Sequence, residues 1–392
     1  MHLSTRSAVH EEPTALATAI EQARRSGRPI IDLTQSNPTV VELPYHLYEG
    51  VAGWAKTAGA ELWSRYAPES FGSSRAREAI ARHWPGRQTR ALDPARSLLV
   101  SSSSEAYSYL FTLLCDADDE VLVPRPSYPL LAHLGQYAGV RLVPYSLAYD
   151  GVWHIDFESL RRALGPRSRA IVLVNPNNPT GSYVKRAELA ELAALGLPLI
   201  ADEVFARYAL DDDAELVTSV LGASPALTFC VDGLSKSAGL PQLKLSWIAA
   251  SGPEQQVSEA LRRLEWIADT YLSTTTPGQR ALPALLEAAP AFRDALCSRL
   301  RQNRDALVTA LAGSAASVLR LEGGWYAVVQ LPRVAAEDEW VLGLLEREGV
   351  LVHPGYFYDF ERPAFLVVSL LPQPDELARA AAALRREVER RC

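Results

Sequence analysis

Between residues 98 and 250, short apolar runs alternate with turns and with segments of helical apolar spacing. The predicted strands are 98–100, 120–123, 140–143, 170–174, 197–201, 227–231 and 245–249. Because these strands are apolar on both faces and alternate with helices, they predict a mostly parallel sheet sandwiched by helices. The fold class that follows is α/β.

The pattern changes after residue 252. Long amphipathic helices are predicted at 253–268 and 290–311, and a last helix begins at Pro374. Short strands are predicted at 327–331, 350–352 and 365–370. We therefore expect an N-terminal arm at 1–45 that joins the small domain, a large α/β domain at 46–270, and a smaller α+β domain at 271–392.

Composition restricts the classes of partner. The 392 residues include 39 Lys and Arg against 46 Asp and Glu, a net charge of −7 that gives no general reason to bind nucleic acid or an anionic membrane. No apolar run reaches the roughly 18 residues of a membrane span, and the charged stretch His10 to Glu12 does not suit a signal peptide. The four cysteines lack metal-ligand spacing. We expect reduced thiols, no metal site and a cytoplasmic location.

Polar residues follow three of the predicted strands. Asn178 lies in the segment Asn-Pro-Asn-Asn-Pro-Thr-Gly after strand 170–174, Asp202 follows 197–201, and Lys236 lies just beyond 227–231. Taken singly, they suit a rigid turn, a helix N-cap and a surface lysine. Ligands of open α/β sheets bind at the carboxyl ends of the strands, where these three would converge. The pattern therefore predicts a shared cleft.

Together, these segments resemble the class I/II aminotransferases, which are fold-type I pyridoxal-phosphate enzymes. The resemblance implies that Lys236 forms the Schiff base with pyridoxal 5′-phosphate and that Asp202 pairs with the pyridine nitrogen. It implies that Asn178 bonds the ring hydroxyl oxygen and that Tyr128 covers the face of the ring. Tyr66 matches the tyrosine that reaches the cofactor phosphate of the neighbouring subunit, which implies a homodimer with shared sites.

The cofactor phosphate needs hydrogen-bond donors. Ser102, Ser103 and Ser104 precede a helical segment, so their hydroxyls and backbone N–H groups would lie at a helix N-terminus. A serine-rich cap is the plainer interpretation of the run, and the two interpretations are compatible. Lys244 matches the position of a phosphate-binding arginine in the resembled family and keeps the charge without the bidentate fork. Ser235 is the last of the residues that we expect to bind the cofactor phosphate.

Four positions depart from the family pattern. Phe205 replaces a tyrosine that donates to the ring oxygen, and Gly233 replaces a phosphate-binding Ser or Thr whose role Ser235 or Ser237 would take. Ser36 replaces a glycine near the substrate carboxylate. Val367 stands where the family has its substrate-carboxylate arginine, and no arginine lies between residues 363 and 372.

Another basic group must therefore bind the carboxylate, or the substrate presents no carboxylate at that place. The candidates by sequence position are Arg125, Arg207, Lys244 and His353. A surface or structural role is the plainer interpretation of each. Trp325, Tyr326 and the segment 356–358 are further candidates to line the substrate pocket.

The resemblance implies a transaminase that moves an amino group from an amino acid or amine to a keto acid or aldehyde. A lyase that uses the same cofactor for β- or γ-elimination, or a specialised biosynthetic enzyme with an unusual substrate, remains open because one fold supports many reactions. A non-catalytic sensor is a third hypothesis. Lys236 and Asp202 speak against it, because a silent scaffold has no chemical need for them.

Overall fold

An eight-stranded sheet forms the centre of the larger part of the molecule. The structure is a computed structural model that describes residues 3–8, 15–51, 66, 68–85 and 92–392. The strands of the large sheet are β2 (Ser97–Val100), β3 (Glu120–Arg125), β4 (Arg141–Tyr149), β5 (Trp153–Ile155), β6 (Ser168–Val174), β7 (Leu199–Asp202), β8 (Thr228–Gly233) and β9 (Ser246–Ser251).

The order of strands in this sheet is β2-β9-β8-β7-β6-β3-β4-β5. Five consecutive strands, β8-β7-β6-β3-β4, are parallel, whereas β9 runs antiparallel to both of its neighbours and β5 is antiparallel to β4. The predicted α/β class with a mostly parallel sheet is confirmed. The connection from β8 to β9 covers residues 234–245 and returns the chain as the antiparallel neighbour of β8.

Helices cover both faces of the large sheet, and others belong to the terminal parts of the chain. The helices of the described ranges are α1 (Ala15–Arg25), α2 (Ser74–Arg82), α3 (Ser103–Leu114), α4 (Leu130–Ala138), α5 (Phe157–Ala163), α6 (Arg186–Ala194), α7 (Leu234–Ser237), α8 (Glu254–Tyr271), α9 (Thr276–Leu311), α10 (Glu337–Gly343) and α11 (Pro374–Arg391). Alternate residues of β6 enter two different cores: Ile171 and Leu173 enter one, and Ala170 and Val172 the other. The strands are therefore buried on both faces, as their composition indicates.

Two smaller sheets belong to the terminal parts of the chain. Strands β10 (Ser317–Val318), β11 (Tyr326–Gln330), β14 (Phe365–Ser369) and β13 (His353–Pro354) form an antiparallel sheet in that order. Strands β1 (Ile31–Asp32) and β12 (Val350–Leu351) form a parallel pair. Residues near the N-terminus thus pair with the C-terminal third.

Helix α9 differs from its prediction. The helix begins at Thr276 and runs for 36 residues through Pro283 and Pro290, instead of beginning at residue 290. A proline inside a helix costs about 3 kcal/mol. Burial of Leu282, Leu286 and Phe292 on one side of the helix offsets that cost.

Short helical turns complete the described chain. The 3-10 turns are Thr5–Ser7, Pro38–Val40, Tyr45–Tyr48, Pro94–Arg96, Pro241–Leu243 and Gly355–Tyr358, and Leu344–Glu348 is a π-helical turn. None of the helices in the described ranges is long and apolar enough to cross a membrane. The same ranges contain no cluster of three His, Cys, Asp or Glu side chains that could hold a metal ion.

Candidate active site

Three neighbouring parallel strands deliver polar residues to one edge of the large sheet. In the register of β6, β7 and β8, Val174 is opposite Asp202 and Asp202 is opposite Val231. Asn178 follows the end of β6, Asp202 ends β7, and Lys236 lies on α7 directly after β8. The parallel register therefore brings these three residues to the same end of the sheet.

Lys236 lies between the sheet edge and the N-terminal segment. Its Nζ donates to the backbone oxygen of Ser36 at 3.3 Å and lies 4.9 Å from the ring centroid of Trp325 and 5.9 Å from that of Phe205. Burial lowers the pKa of Lys236 to about 8, against the opposing charge of Asp202. A larger fraction of this amine is therefore uncharged near neutral pH than of an ordinary lysine.

Asp202 is held by donors on both carboxylate oxygens. The backbone N–H of Val204 donates to Oδ1, and the Tyr107 hydroxyl donates to Oδ2, each at 3.2 Å. Burial raises the pKa of Asp202 to about 6, while the two hydrogen bonds and the charge of Lys236 oppose that rise. The carboxylate remains mostly ionised at neutral pH, and the charge of Lys236 favours its ionised form.

Asn178 and Tyr128 lie beside this pair along the sheet edge. The side-chain Oδ1 of Asn178 is buried and has no hydrogen-bond partner within the described part of the chain. Tyr128 is 43% exposed, and its ring centroid lies 6.3 Å from that of Tyr358. Tyr326 is buried, and its ring centroid also lies 6.4 Å from that of Tyr358. Aromatic rings therefore line the approach to Lys236.

The serine run begins helix α3. Ser102 is the N-cap, and its Oγ accepts from the backbone N–H of Glu105 at 3.1 Å. Ser103 and Ser104 form the first turn of the helix, so their N–H groups have no partner within the helix. A helix terminus of this kind suits an anion.

Gly233 stands where the family has a phosphate-binding hydroxyl, and the structure distinguishes Ser235 from Ser237 as its replacement. A Cβ atom on Gly233 would lie 2.1 Å from Ser246 Oγ, so the close approach of β9 requires glycine there. The Ser237 hydroxyl is committed to the backbone oxygen of Gly233 at 2.7 Å. Ser235 is half-buried, its side chain forms no hydrogen bond within the described ranges, and Lys244 is exposed. Ser235 and Lys244 thus keep their donors available.

Val367 occupies the middle of the small antiparallel sheet. It is fully buried, and it pairs with Val328 on one side and His353 on the other. The position therefore offers an apolar surface and no charge. Ser36, the other substrate-side candidate, is exposed and close to Lys236.

The four basic candidates for carboxylate binding differ in the groups that they contact. Arg125 pairs with Asp359 at 2.9 Å. Arg207 donates to the backbone oxygen of His83 and faces Asp232 at 3.5 Å.

The His353 ring stacks on Phe357 at 4.6 Å, and burial lowers the pKa of His353, which disfavours its charged form. Lys244 lies at the C-cap of the 3-10 turn Pro241–Leu243. Two of the four candidates are thus engaged by carboxylates, and a third tends to be neutral.

Sequence reasoning missed two hydroxyls that support the central pair. Tyr107 bonds Asp202, and the Tyr208 hydroxyl donates to the backbone oxygen of Lys236 at 2.5 Å. Both tyrosines lie within apolar patterns, where a buried ring is the ordinary expectation. One sequence signal could have identified Tyr107 as a site residue. It lies one helical turn after Ser103, and residues four apart share a helix face.

Comparison with known proteins identifies the family. The model of the family "Aminotransferase class I and II" matches residues 57–384. Alanine aminotransferase of Mycobacterium tuberculosis is 30% identical over 288 residues, which cover 71% of this chain and 67% of that protein. Glutamate-pyruvate aminotransferase AlaA of Escherichia coli is 27% identical over 325 residues and 79% of each chain.

Solved structures agree with this result. Aspartate aminotransferase from Thermus thermophilus with maleate has a TM-score of 0.81 and 26% identity, over 99% of this chain and 100% of that one. Alanine aminotransferase from Pyrococcus furiosus shares the fold, with a TM-score of 0.87 and 24% identity over the whole of both chains. The chain therefore belongs to the class I and II aminotransferases, a pyridoxal-phosphate-dependent family, and is an amino-group transferase of fold type I.

Proposed function

We propose that this chain binds pyridoxal 5′-phosphate in the cleft at the carboxyl ends of β6, β7 and β8. Lys236 would hold the cofactor aldehyde covalently, Asp202 would face the ring nitrogen, and Asn178 the ring oxygen. The observation that carries the proposal is the convergence of these residues at the ends of three adjacent parallel strands. Tyr128 would cover the ring.

The residues present fit this cofactor. The buried, unpartnered Oδ1 of Asn178 leaves its amide side chain uncommitted at the sheet edge. The α3 N-terminus with Ser102, Ser103 and Ser104, together with Ser235 and Lys244, supplies the donors that a phosphate requires. Asp202 supplies the negative charge that a protonated pyridine nitrogen needs.

The cofactor supplies an electron sink for the substrate carbanion. The protein's own groups would then perform the proton chemistry. Asp202 would keep the ring nitrogen protonated, and the amine of Lys236, once displaced by the substrate, would move the proton as a general base. The pKa of about 8 for Lys236 suits that task, because an amine near neutrality can both accept and return a proton.

We propose that the amino donor is an amino acid or amine and that the acceptor is a keto acid or aldehyde. The names of the relatives support small amino acids and keto acids, because they include alanine, glutamate and pyruvate. The apolar Val367 supports a weaker role for the donor's carboxylate. Elimination by the same cofactor remains the second candidate. With Val367 in place of the carboxylate-binding arginine, the substrate is expected to be unusual, and the reaction could differ with it.

Half-reactions separate these candidates. Amino donors are added singly to the holoenzyme, and the conversion of the cofactor to its amine form is followed by absorbance. We expect stoichiometric conversion with release of a keto acid and no free ammonia. Catalytic ammonia release without an amino acceptor would establish elimination instead, and a protein that takes up no cofactor would contradict both proposals.

We further propose that the active unit is a homodimer in which Tyr66 of each chain reaches the cofactor phosphate of its partner. Tyr66 is 74% exposed in the single chain, so its hydroxyl is available to a second subunit. A cytoplasmic location is also proposed, supported by four cysteines that are all free thiols.

A further inference from the structure

A phenol hydroxyl contacts the acid at the centre of the proposed site. Tyr107 lies on α3, 2% exposed, in the same buried cluster as Ile200 and Val231. Its hydroxyl donates to Asp202 Oδ2 at 3.2 Å. Burial raises the pKa of Tyr107 well above its usual value, so the hydroxyl stays protonated and acts toward Asp202 as a donor.

The two carboxylate oxygens of Asp202 are thus fixed independently. Val204 N–H bonds Oδ1, so removal of the Tyr107 hydroxyl would leave one anchor and free the carboxylate to rotate. Hydrogen bonds to an ionised group favour that group's charged form. The other charges that act on Asp202 are the carboxylate of Asp232, on the adjacent strand β8, and the amine of Lys236 on α7.

We propose that Tyr107 is a positioning residue that holds the Asp202 carboxylate ionised and oriented, and thereby keeps the proton on the cofactor's ring nitrogen. The inference rests on the proposed function. The proton between the ring nitrogen and Asp202 goes to whichever base is stronger. A donor on the carboxylate weakens that base, so the ring nitrogen retains the proton.

The position of Tyr107 on α3 adds to this argument. Ser103, four residues earlier, lies at the helix N-terminus proposed to bind the phosphate. One helix would therefore contact the cofactor's phosphate directly and its ring nitrogen through Asp202. Phe205, which stands where the family has a tyrosine donor to the ring oxygen, contributes no hydroxyl. In this chain, the phenol acts on the nitrogen side of the ring.

The test uses holoenzyme loaded with cofactor that carries ¹⁵N at the ring nitrogen. The ¹⁵N chemical shift is followed against pH for the wild type, Tyr107→Phe and Tyr145→Phe. Tyr145, on β4, is the matched control, because it is equally buried and its hydroxyl donates to the backbone oxygen of Val172 and not to Asp202. Melting temperatures show whether each variant is folded.

We expect Tyr107→Phe to move the ¹⁵N chemical shift at neutral pH toward the value of an unprotonated pyridine nitrogen. The carboxylate becomes the stronger base by about one to two pH units, a roughly ten- to hundredfold change in how the proton divides between the two atoms. Tyr145→Phe should leave the ¹⁵N shift unchanged. In the Asp202→Asn background, Tyr107→Phe should have no further effect, because the carboxylate through which it acts is gone. Replacement of Tyr107 by 3,5-difluorotyrosine, a stronger donor, should move the ¹⁵N shift toward the protonated value and serves as the test if the phenylalanine variant does not fold.

An unchanged ¹⁵N shift at neutral pH in Tyr107→Phe, or an equal change in Tyr145→Phe, would overturn the inference. The same holds if difluorotyrosine leaves the ¹⁵N shift in place. A wild-type protein that takes up no labelled cofactor would instead refute the proposed function, and the role of Tyr107 with it. The two failures are therefore distinguishable.

Discussion

At the scale of single residues, Val367 separates this chain from the family it belongs to. An arginine at this position would give a substrate carboxylate a charge-assisted, two-pronged hydrogen bond. Here the side chain is apolar and fully buried between Val328 and His353. Discrimination between an amino acid and the amine that lacks its carboxylate should therefore be weak.

The substitution Val367→Arg tests this expectation. The ratio of kcat/KM for an amino acid to that for its decarboxylated amine should rise at least about tenfold, because a hydrogen bond between charged groups contributes about 1.5–3 kcal/mol. Steady-state assays with both donors measure the ratio. Val367→Met, which keeps an apolar side chain, should leave it unchanged. An unaltered ratio in a folded arginine variant would show that the carboxylate is bound elsewhere.

Which site residues could be predicted from the sequence depends on the order and direction of the strands. Asn178, Asp202 and Lys236 could be placed together because the ends of adjacent parallel strands share one edge. Tyr107 could not be assigned from sequence, because its partner Asp202 is 95 residues away and a tyrosine in an apolar helix is usually only core. Contacts of this kind depend on how helices pack on the sheet, which periodicity does not specify.

At the scale of elements, helix α9 shows where local signals mislead. Proline favours the first turn of a helix, so Pro290 indicates a helix start. The helix instead continues through it, because its buried face packs against the core over most of its 36 residues. The start of α11 at Pro374 was predicted correctly, since there the same signal coincides with the end of the apolar pattern.

The substitution Pro290→Ala should stabilise the protein. Position 290 is exposed, so little packing is lost, and the backbone regains an N–H donor for the carbonyl of residue 286. We expect the free energy of unfolding to rise by about 1–2 kcal/mol, the helix gain less the added entropy of the unfolded chain. Denaturant unfolding measures this change. Pro374→Ala, at a position where proline is well accommodated, should give no gain, and a destabilised Pro290→Ala would contradict the account.

At the scale of the whole molecule, several large apolar side chains remain exposed near the end of α8. Trp266, Tyr271 and Leu272 are 71%, 63% and 66% exposed. The Ser70 hydroxyl, four residues beyond Tyr66, donates to Asp269 on this helix at 2.8 Å, so the segment after Tyr66 lies against the same surface. Exposed apolar patches of this kind mark interfaces.

We expect sedimentation to give twice the chain mass of 42.9 kDa. Trp266→Glu should weaken the dimer and, because the partner's phosphate donor is then lost, also reduce cofactor affinity. Tyr66→Phe should reduce cofactor affinity and leave the dimer intact. Tyr137→Glu, at an exposed ring on α4, is the control and should change neither. A monomeric wild-type protein with full cofactor affinity would refute the shared site.

The central claim is that Lys236 holds the cofactor, and the chain permits a direct test because it contains only four lysines, Lys56, Lys185, Lys236 and Lys244. The holoenzyme is reduced with borohydride, digested and mapped by mass spectrometry. The account predicts the reduced cofactor on the peptide that contains Lys236, one per chain, and none in Lys236→Ala. Modification of another lysine, or of none, would contradict it.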